Sequence, residues 1–138
     1  MNKADLFQFM ASESLGVLGS LSSDGAPQSA LVGIAVTLEL EIVFDTLKTT
    51  RKYLNLSTNP AASFVIGCTT EVTVQFEGIA VELSGGDLAR YQKVYFAKWP
   101  DGPARMSWPG ICYFVVRPRW IRYSNFDKRP PEIVEFTF

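Results

Sequence analysis

Apolar residues recur along this chain with two periods, and the switches between them mark out its elements. Leu6, Phe7 and Met10 fall at helical spacing and predict a short helix over residues 3–12. From Gly16 the pattern becomes extended, and residues 16–22 read as a strand. Asp24 and Gly25, within residues 23–26, carry a hairpin-turn signal. The partner strand is expected over residues 28–36, and a third strand over residues 41–45. Residues 62–67 read as a buried strand. Residues 72–82 alternate well enough for a long one, with Val72, Val74 and Phe76 on one side. Gly78 breaks that rhythm and marks a bulge or a bend. After the break at Gly85 and Gly86, Asp87 is the expected N-cap of a helix running to Phe96. Residues 98–110, rich in proline, glycine and tryptophan, read as an ordered loop. A strand interrupted at Pro118 is expected over residues 111–124, and a short last one over residues 133–136.

Some six strands, short turns and one helix after the third strand suit an antiparallel sheet closed into a small barrel. They do not suit a parallel βαβ sheet. Gly16 and Gly19 lack the strand-to-helix context of a G-x-G-x-x-G fingerprint, which argues against a dinucleotide-binding fold of that type.

The segment with most chemistry is residues 46–60, where a strand gives way to a helix. Thr49 or Thr50 can cap that helix, because a short side-chain oxygen accepts from an unpaired N–H of the first turn. Leu54 and Leu56 are expected to form its inner face, and Asn59-Pro60 ends it. Free N–H groups, hydroxyls, Lys48, Arg51 and Lys52 together can hold a phosphate; the same residues also read as a capped surface helix with solvated cations. Arg117, Arg119 and Arg122 form a second basic cluster, expected to face solvent, with Arg119 pairing with Glu132 or Glu135. Asp45 has no second acid near it in sequence and reads as structural or solvated.

Composition narrows the classes. At 138 residues, 47% hydrophobic and 20% charged, the chain is expected to form one globular domain, residues 1–138. A net charge of −1 gives no preference for nucleic acid or an anionic membrane. No apolar run approaches the roughly 20 residues that span a bilayer. The first residues lack the basic and apolar regions of a signal peptide, so cytoplasmic residence is the default expectation. The chain has no histidine. That argues against most zinc and haem sites and against Ser–His–Asp or Cys–His catalysis. No metal site is expected. Cys68 and Cys112 lie in apolar segments and read as buried free thiols or as a disulfide pair. Chemistry here therefore belongs to a bound cofactor.

Three segments, in order, carry a resemblance to a known family. Residues 24–32 (Asp-Gly-Ala-Pro-Gln-Ser-Ala-Leu-Val) are similar to its hairpin turn and second strand. Residues 44–60 resemble its strand, its Ser-Arg-Lys-type phosphate loop and a helix ending in Asn-Pro. Residues 72–78 resemble the strand that ends in Val-Glu-Gly, and residues 118–124 the ending of small members. The chain thus resembles the pyridoxamine 5′-phosphate oxidase-like, FMN-binding split-barrel family over residues 5–125. That resemblance implies a six-stranded antiparallel split β-barrel of Greek-key topology with a few short helices. It implies a homodimer with FMN at the subunit interface.

By the same resemblance, Arg51 and Lys52 are phosphate ligands, with Thr50 in place of the family serine. Ser29, Ala30, Leu31 and Val32 flank the isoalloxazine ring through backbone contacts; Phe44, Asp45 and Thr46 border the ribityl chain and phosphate. Thr73 stands where the oxidase has a flavin-contacting glutamine, with Gln75 beside it as a substitute. The oxidase's second-strand arginine has no counterpart at Gln28 or Ser29, and its Arg-x-His substrate region is missing. These departures argue against pyridoxamine phosphate as substrate. The implied activity is flavin-dependent oxidoreduction of an unassigned small molecule. The alternatives are a flavin-binding module without turnover, or a deazaflavin-dependent reductase using the same groove. Trp99, Trp108 and Trp120 can stack on the flavin or anchor the core or dimer interface.

Overall fold

Alternation along the chain resolves into eight strands in the computed structural model, which describes residues 1–138. They are β1 (Leu15–Leu21), β2 (Pro27–Gly33), β3 (Ala35–Val36), β4 (Ile42–Leu47), β5 (Ala61–Ile66), β6 (Val72–Glu82), β7 (Ile111–Asn125) and β8 (Glu132–Thr137). All pairs are antiparallel, in the order β2-β1-β5-β6-β7-β4-β3, with β8 also on β7. The count exceeds six because residues 27–36 divide in two and the last strand is complete.

That division closes the barrel. β2 pairs with β1 at one end of the sheet, and β3 pairs with β4 at the other. The chain changes partners at Ile34, a fully buried residue whose N–H bonds to Ser14 O at 3.0 Å. The Ile34 carbonyl accepts the Trp99 indole N–H at 2.9 Å, so neither backbone group is orphaned at the crossing. Gly33 is needed beside it, because a Cβ there would stand 2.8 Å from the Trp99 ring.

The 15-residue β7 serves two partners along one edge, β4 at residues 111–116 and β8 at residues 120–125. Pro118 sits between them and does not interrupt the strand, since its missing N–H falls where that edge has no partner. On the other edge the register slips between Glu77 and Gly78, which makes Arg119 the extra residue of a bulge. Only glycine fits at position 78: a Cβ would lie 2.2 Å from Arg117 O.

Three α-helices attach to the barrel: α1 (Lys3–Ser12), α2 (Arg51–Thr58) and α3 (Gly85–Lys98). Asn2 and Asp5 form a capping box on α1, and Leu6 and Met10 are fully buried in the barrel core. Asp87 is not the N-cap of α3. Ser84 holds that position, and Asp87 lies in the first turn, where a carboxylate suits the positive helix end. The inner face of α2 is Asn55 and Leu56, whereas Leu54 is 66% exposed. Residues two apart on a helix are about 200° apart, so Leu54 and Leu56 cannot both face inward. None of the helices is long and apolar enough to cross a membrane.

The barrel interior is aromatic, with Phe44 stacked on Phe114 at 5.5 Å and Phe64 edge-on to Phe76 at 6.0 Å. A smaller core joins Val43 and Val115 on the sheet's outer side to Tyr91 and Tyr95 of α3. Both cysteines are free thiols, but only Cys112 is buried. Cys68 follows β5 in an exposed turn beyond the reach of the core.

Two measurements test these features. Trp99→Phe keeps an aromatic ring but deletes the indole donor, so urea denaturation should show a loss of about 1–3 kcal/mol. Thiol titration should find Cys68 reactive in the native protein and Cys112 only after unfolding. Burial, then the charge of Glu82, pushes the Cys112 thiol up to about 11, and its backbone sits inside the β4–β7 ladder.

Candidate functional site

The turn from β4 into α2 is fixed before any ligand enters. Lys48 N bonds to Gly110 O at 2.9 Å, and Thr50 N to Leu47 O at 3.0 Å. Thr50, not Thr49, is the N-cap, and its Oγ1 accepts from Tyr53 N at 3.4 Å. The Thr50 hydroxyl donates to Leu47 O at 2.8 Å and so accepts from the buried Thr46 hydroxyl at 3.0 Å. Its one proton is therefore committed to the turn, and Thr50 shapes the helix end instead of offering a donor.

Beyond this cap, Arg51 and Lys52 make no ion pair or side-chain hydrogen bond. Lys48 instead lies over the Tyr53 ring at 5.9 Å, and the Tyr53 hydroxyl donates to Glu82 at 2.9 Å. Arg51 and Lys52 line a cavity of about 380 Å³ with Ser29, Ala30, Thr49 and Thr50. No carboxylate lines it. Helix N–H groups, two unpaired cations and hydroxyls with no acid among them suit an anion.

The cavity also contains three residues that sequence reasoning did not assign, Asn55, Gln28 and Ser20. Asn55 Nδ2 donates to Ser20 Oγ at 3.0 Å and to Gln28 Oε1 at 2.9 Å, tying α2 to both β1 and β2. The available signal was helical spacing: Asn55 is four residues after Arg51 and shares its face.

The remaining predicted residues are dispersed. Val32 and Phe44 are 8% and 0% exposed and point into the barrel core. Leu31 is 63% exposed on the outer face. Asp45 points away from the cavity, accepting from Arg105 Nε at 3.0 Å and from the Tyr95 hydroxyl at 3.1 Å. Arg105 also holds Asp101 at 2.7 Å, so Asp45 pins the segment Gly102–Ser107 to β4. Burial, then the Asp45 charge, raises the Tyr95 phenol well above its ordinary value. Of the two readings that the isolation of Asp45 in sequence left open, structural or solvated, its bonds to Arg105 and Tyr95 favour the first.

Thr73 and Gln75 line a separate depression of about 290 Å³ on the outer face of β5 and β6, with Trp120 at its side. A trough of about 480 Å³ connects the two places. It shares Ser20, Gln28 and Ser29 with the α2 cavity, and Ser63 and Glu77 with the Thr73–Gln75 depression. Arg119 lines this trough and makes no ion pair; Arg122, three residues on, reaches Glu135 at 3.7 Å instead. The expected pairing of Arg119 fails because Arg122, not Arg119, is the cross-strand neighbour of Glu135. Arg117 is not free either, and reaches Glu41 at 3.3 Å. Trp99 is an anchor, as described, and Trp108 is 50% exposed. The same outer face leaves Leu15 47% and Val65 41% exposed.

The largest cavity, about 610 Å³, lies elsewhere, between α1, the β3–β4 turn and α3. Its buried Glu41 carboxylate is satisfied by Thr37, Tyr91 and Arg117.

Solved structures share this architecture at low identity. A heme binding protein from Mycobacterium smegmatis superposes with a TM-score of 0.83 and 17% identity, over 99% of this chain. This chain spans 58% of the length of that protein. General Stress Protein 26 from Bacillus anthracis gives 0.72 and 19%, covering 97% of this chain and 98% of the other. A pyridoxamine 5′-phosphate oxidase-related, FMN binding protein from Nostoc punctiforme gives 0.67 and 12%, covering 99% and 92%. No curated protein matches the chain. The fold is the split barrel of these neighbours. Residues 3–125 match the family model for pyridoxamine 5′-phosphate oxidase, and the chain belongs to that family.

Proposed function

We propose that this chain binds FMN at a homodimer interface and works as a flavin-dependent oxidoreductase on a small molecule. The observation that carries the reading is the pair Arg51 and Lys52, free of ion pairs at the capped start of α2 in a cavity without carboxylates. A phosphate monoester dianion is the group that two such cations and free helix N–H groups balance. The FMN binding protein from Nostoc punctiforme, with the same fold, supports a flavin. The name of the mycobacterial neighbour favours haem, but this chain offers no imidazole for an axial ligand. The trough that leads from the cavity is long enough in strands, β2 to β6, to take an extended ligand.

A bound flavin supplies hydride or electron transfer; the chain supplies position and charge. Arg51 and Lys52 hold the phosphate, while Ser29 and the outer face of β2 border the rest of the ligand. The second subunit is supported by the exposed apolar side chains Leu15, Leu31 and Val65 beside the open trough. One observation favours binding without turnover as a second reading: the α2 cavity holds no carboxylate, thiol or imidazole to move a proton. Reduction of the flavin-loaded protein by nicotinamide nucleotides, followed by reoxidation with candidate acceptors, separates the two.

Arg51→Ala with Lys52→Ala should weaken FMN retention about 100-fold or more, because two charged hydrogen-bond donors are lost. Absorption spectra after gel filtration measure this, and unchanged retention would refute the phosphate assignment. Sedimentation at micromolar concentration should find a dimer in the wild type. Leu15→Arg with Val65→Arg should give a folded monomer that releases flavin; a tight-binding monomer would sink the interface model.

A further inference from the structure

We propose that Gln28, held in place by Asn55, is a neutral third arm of the phosphate site, donating its side-chain N–H groups from β2. This deepens the phosphate reading above and rests on it. Asn55 is a polar side chain only 5% exposed in the wall of the α2 cavity. Burying a carboxamide is unfavourable unless its groups are bonded, and both amide hydrogens of Asn55 are. One goes to Ser20 Oγ at 3.0 Å and the other to Gln28 Oε1 at 2.9 Å.

The second bond orients Gln28. A carboxamide has one accepting end and one donating end. Fixing Oε1 against Asn55 leaves Nε2 with two hydrogens and no partner within the protein. Gln28 lines the same cavity of about 380 Å³ as Arg51 and Lys52, and lies directly across from Ser20 in the β1–β2 ladder. Gln28 therefore approaches the cavity from the sheet, while the two cations approach from the helix.

The cavity has a use for such a donor. The Thr50 proton is committed to Leu47 O and cannot serve. A neutral amide adds directional bonding without adding charge, so two cations still balance one dianion. Asn55 is then a positioning residue that acts on the ligand only through Gln28.

The test is a titration of FMN and of riboflavin, which lacks the phosphate, against the full-length protein and its variants. Gln28→Ala should weaken FMN about tenfold and leave riboflavin unchanged, since only the phosphate loses a donor. Gln28→Glu, nearly the same in shape but negatively charged, should weaken FMN by about 100-fold. Asn55→Ala should match Gln28→Ala, and the double variant should be no worse than either single one, because they act in series.

Equal loss of both flavins, full FMN affinity in Gln28→Ala, or additive losses would overturn the inference. Should Asn55→Ala fail to fold, the FMN-to-riboflavin ratio in Gln28→Ala and Gln28→Glu decides it. A wild type that does not prefer FMN over riboflavin overturns the phosphate reading and this inference together. A preference left undiminished by Gln28→Ala overturns only the inference.

Discussion

Everything at the site depends on the change of partner at Ile34. A strand that leaves one neighbour for another strands its backbone groups at the crossing, and buried orphans of that kind are costly. Here Ser14 O takes the Ile34 N–H, and the Trp99 indole supplies the missing donor to its carbonyl. With the crossing satisfied, residues 27–36 pair with β1 and then with β4, and the sheet becomes a barrel. Closure brings the start of β2 alongside the end of β4 and the first turn of α2. Residues more than twenty apart in sequence, Gln28 and Arg51 among them, then line one cavity.

Closure also sorts the charges. Asp45 and Thr46 are neighbours in β4, but alternation sends their side chains to opposite faces. Asp45 goes outward, where Arg105 and Tyr95 neutralise and bond it. Thr46 goes inward, where it bonds the helix cap. The carboxylate of β4 is thereby removed from the cavity in space. Arg105 takes up that negative charge and leaves Arg51 and Lys52 with no internal counter-ion. The proposed anion site rests as much on this removal as on the placement of the cations.

Much of the fold was legible because its signals are local. The alternation of residues 72–82 gave β6 to the residue, and helical spacing gave α1. The hydroxyls ahead of Arg51 narrowed the helix cap to Thr49 or Thr50, and Arg51 and Lys52 line the cavity beside it. Failures came where several local candidates competed or where the answer lay across the barrel. Both Leu54 and Leu56 are apolar, yet on a helix of eight residues only one can face the sheet. Cys68 sits in an apolar stretch but follows the last residue of β5, where the chain has already left the core. The Asn55–Gln28 bond spans 27 residues, and no periodicity announces it. Val32 and Phe44, drawn from the resemblance, have side chains that face the core.

The trough joins the two groups into which those predicted ligand residues that line a cavity fall. Ser29, Thr50, Arg51 and Lys52 lie at one end, Thr73 and Gln75 at the other, and the outer faces of β1, β5 and β6 form the floor between. That floor is shallow and flanked by exposed Leu31 and Val65, so one subunit has only one wall to offer an extended ligand. The α2 end is different in kind, being built from a fixed cap, two unpaired cations and a bonded amide pair. Such rigidity is what a phosphate anchor requires, because its value lies in holding the rest of the ligand in register. In the proposed dimer the flat end gains its second wall by association. On this argument the anchor is a property of the chain, and the pocket a property of the pair.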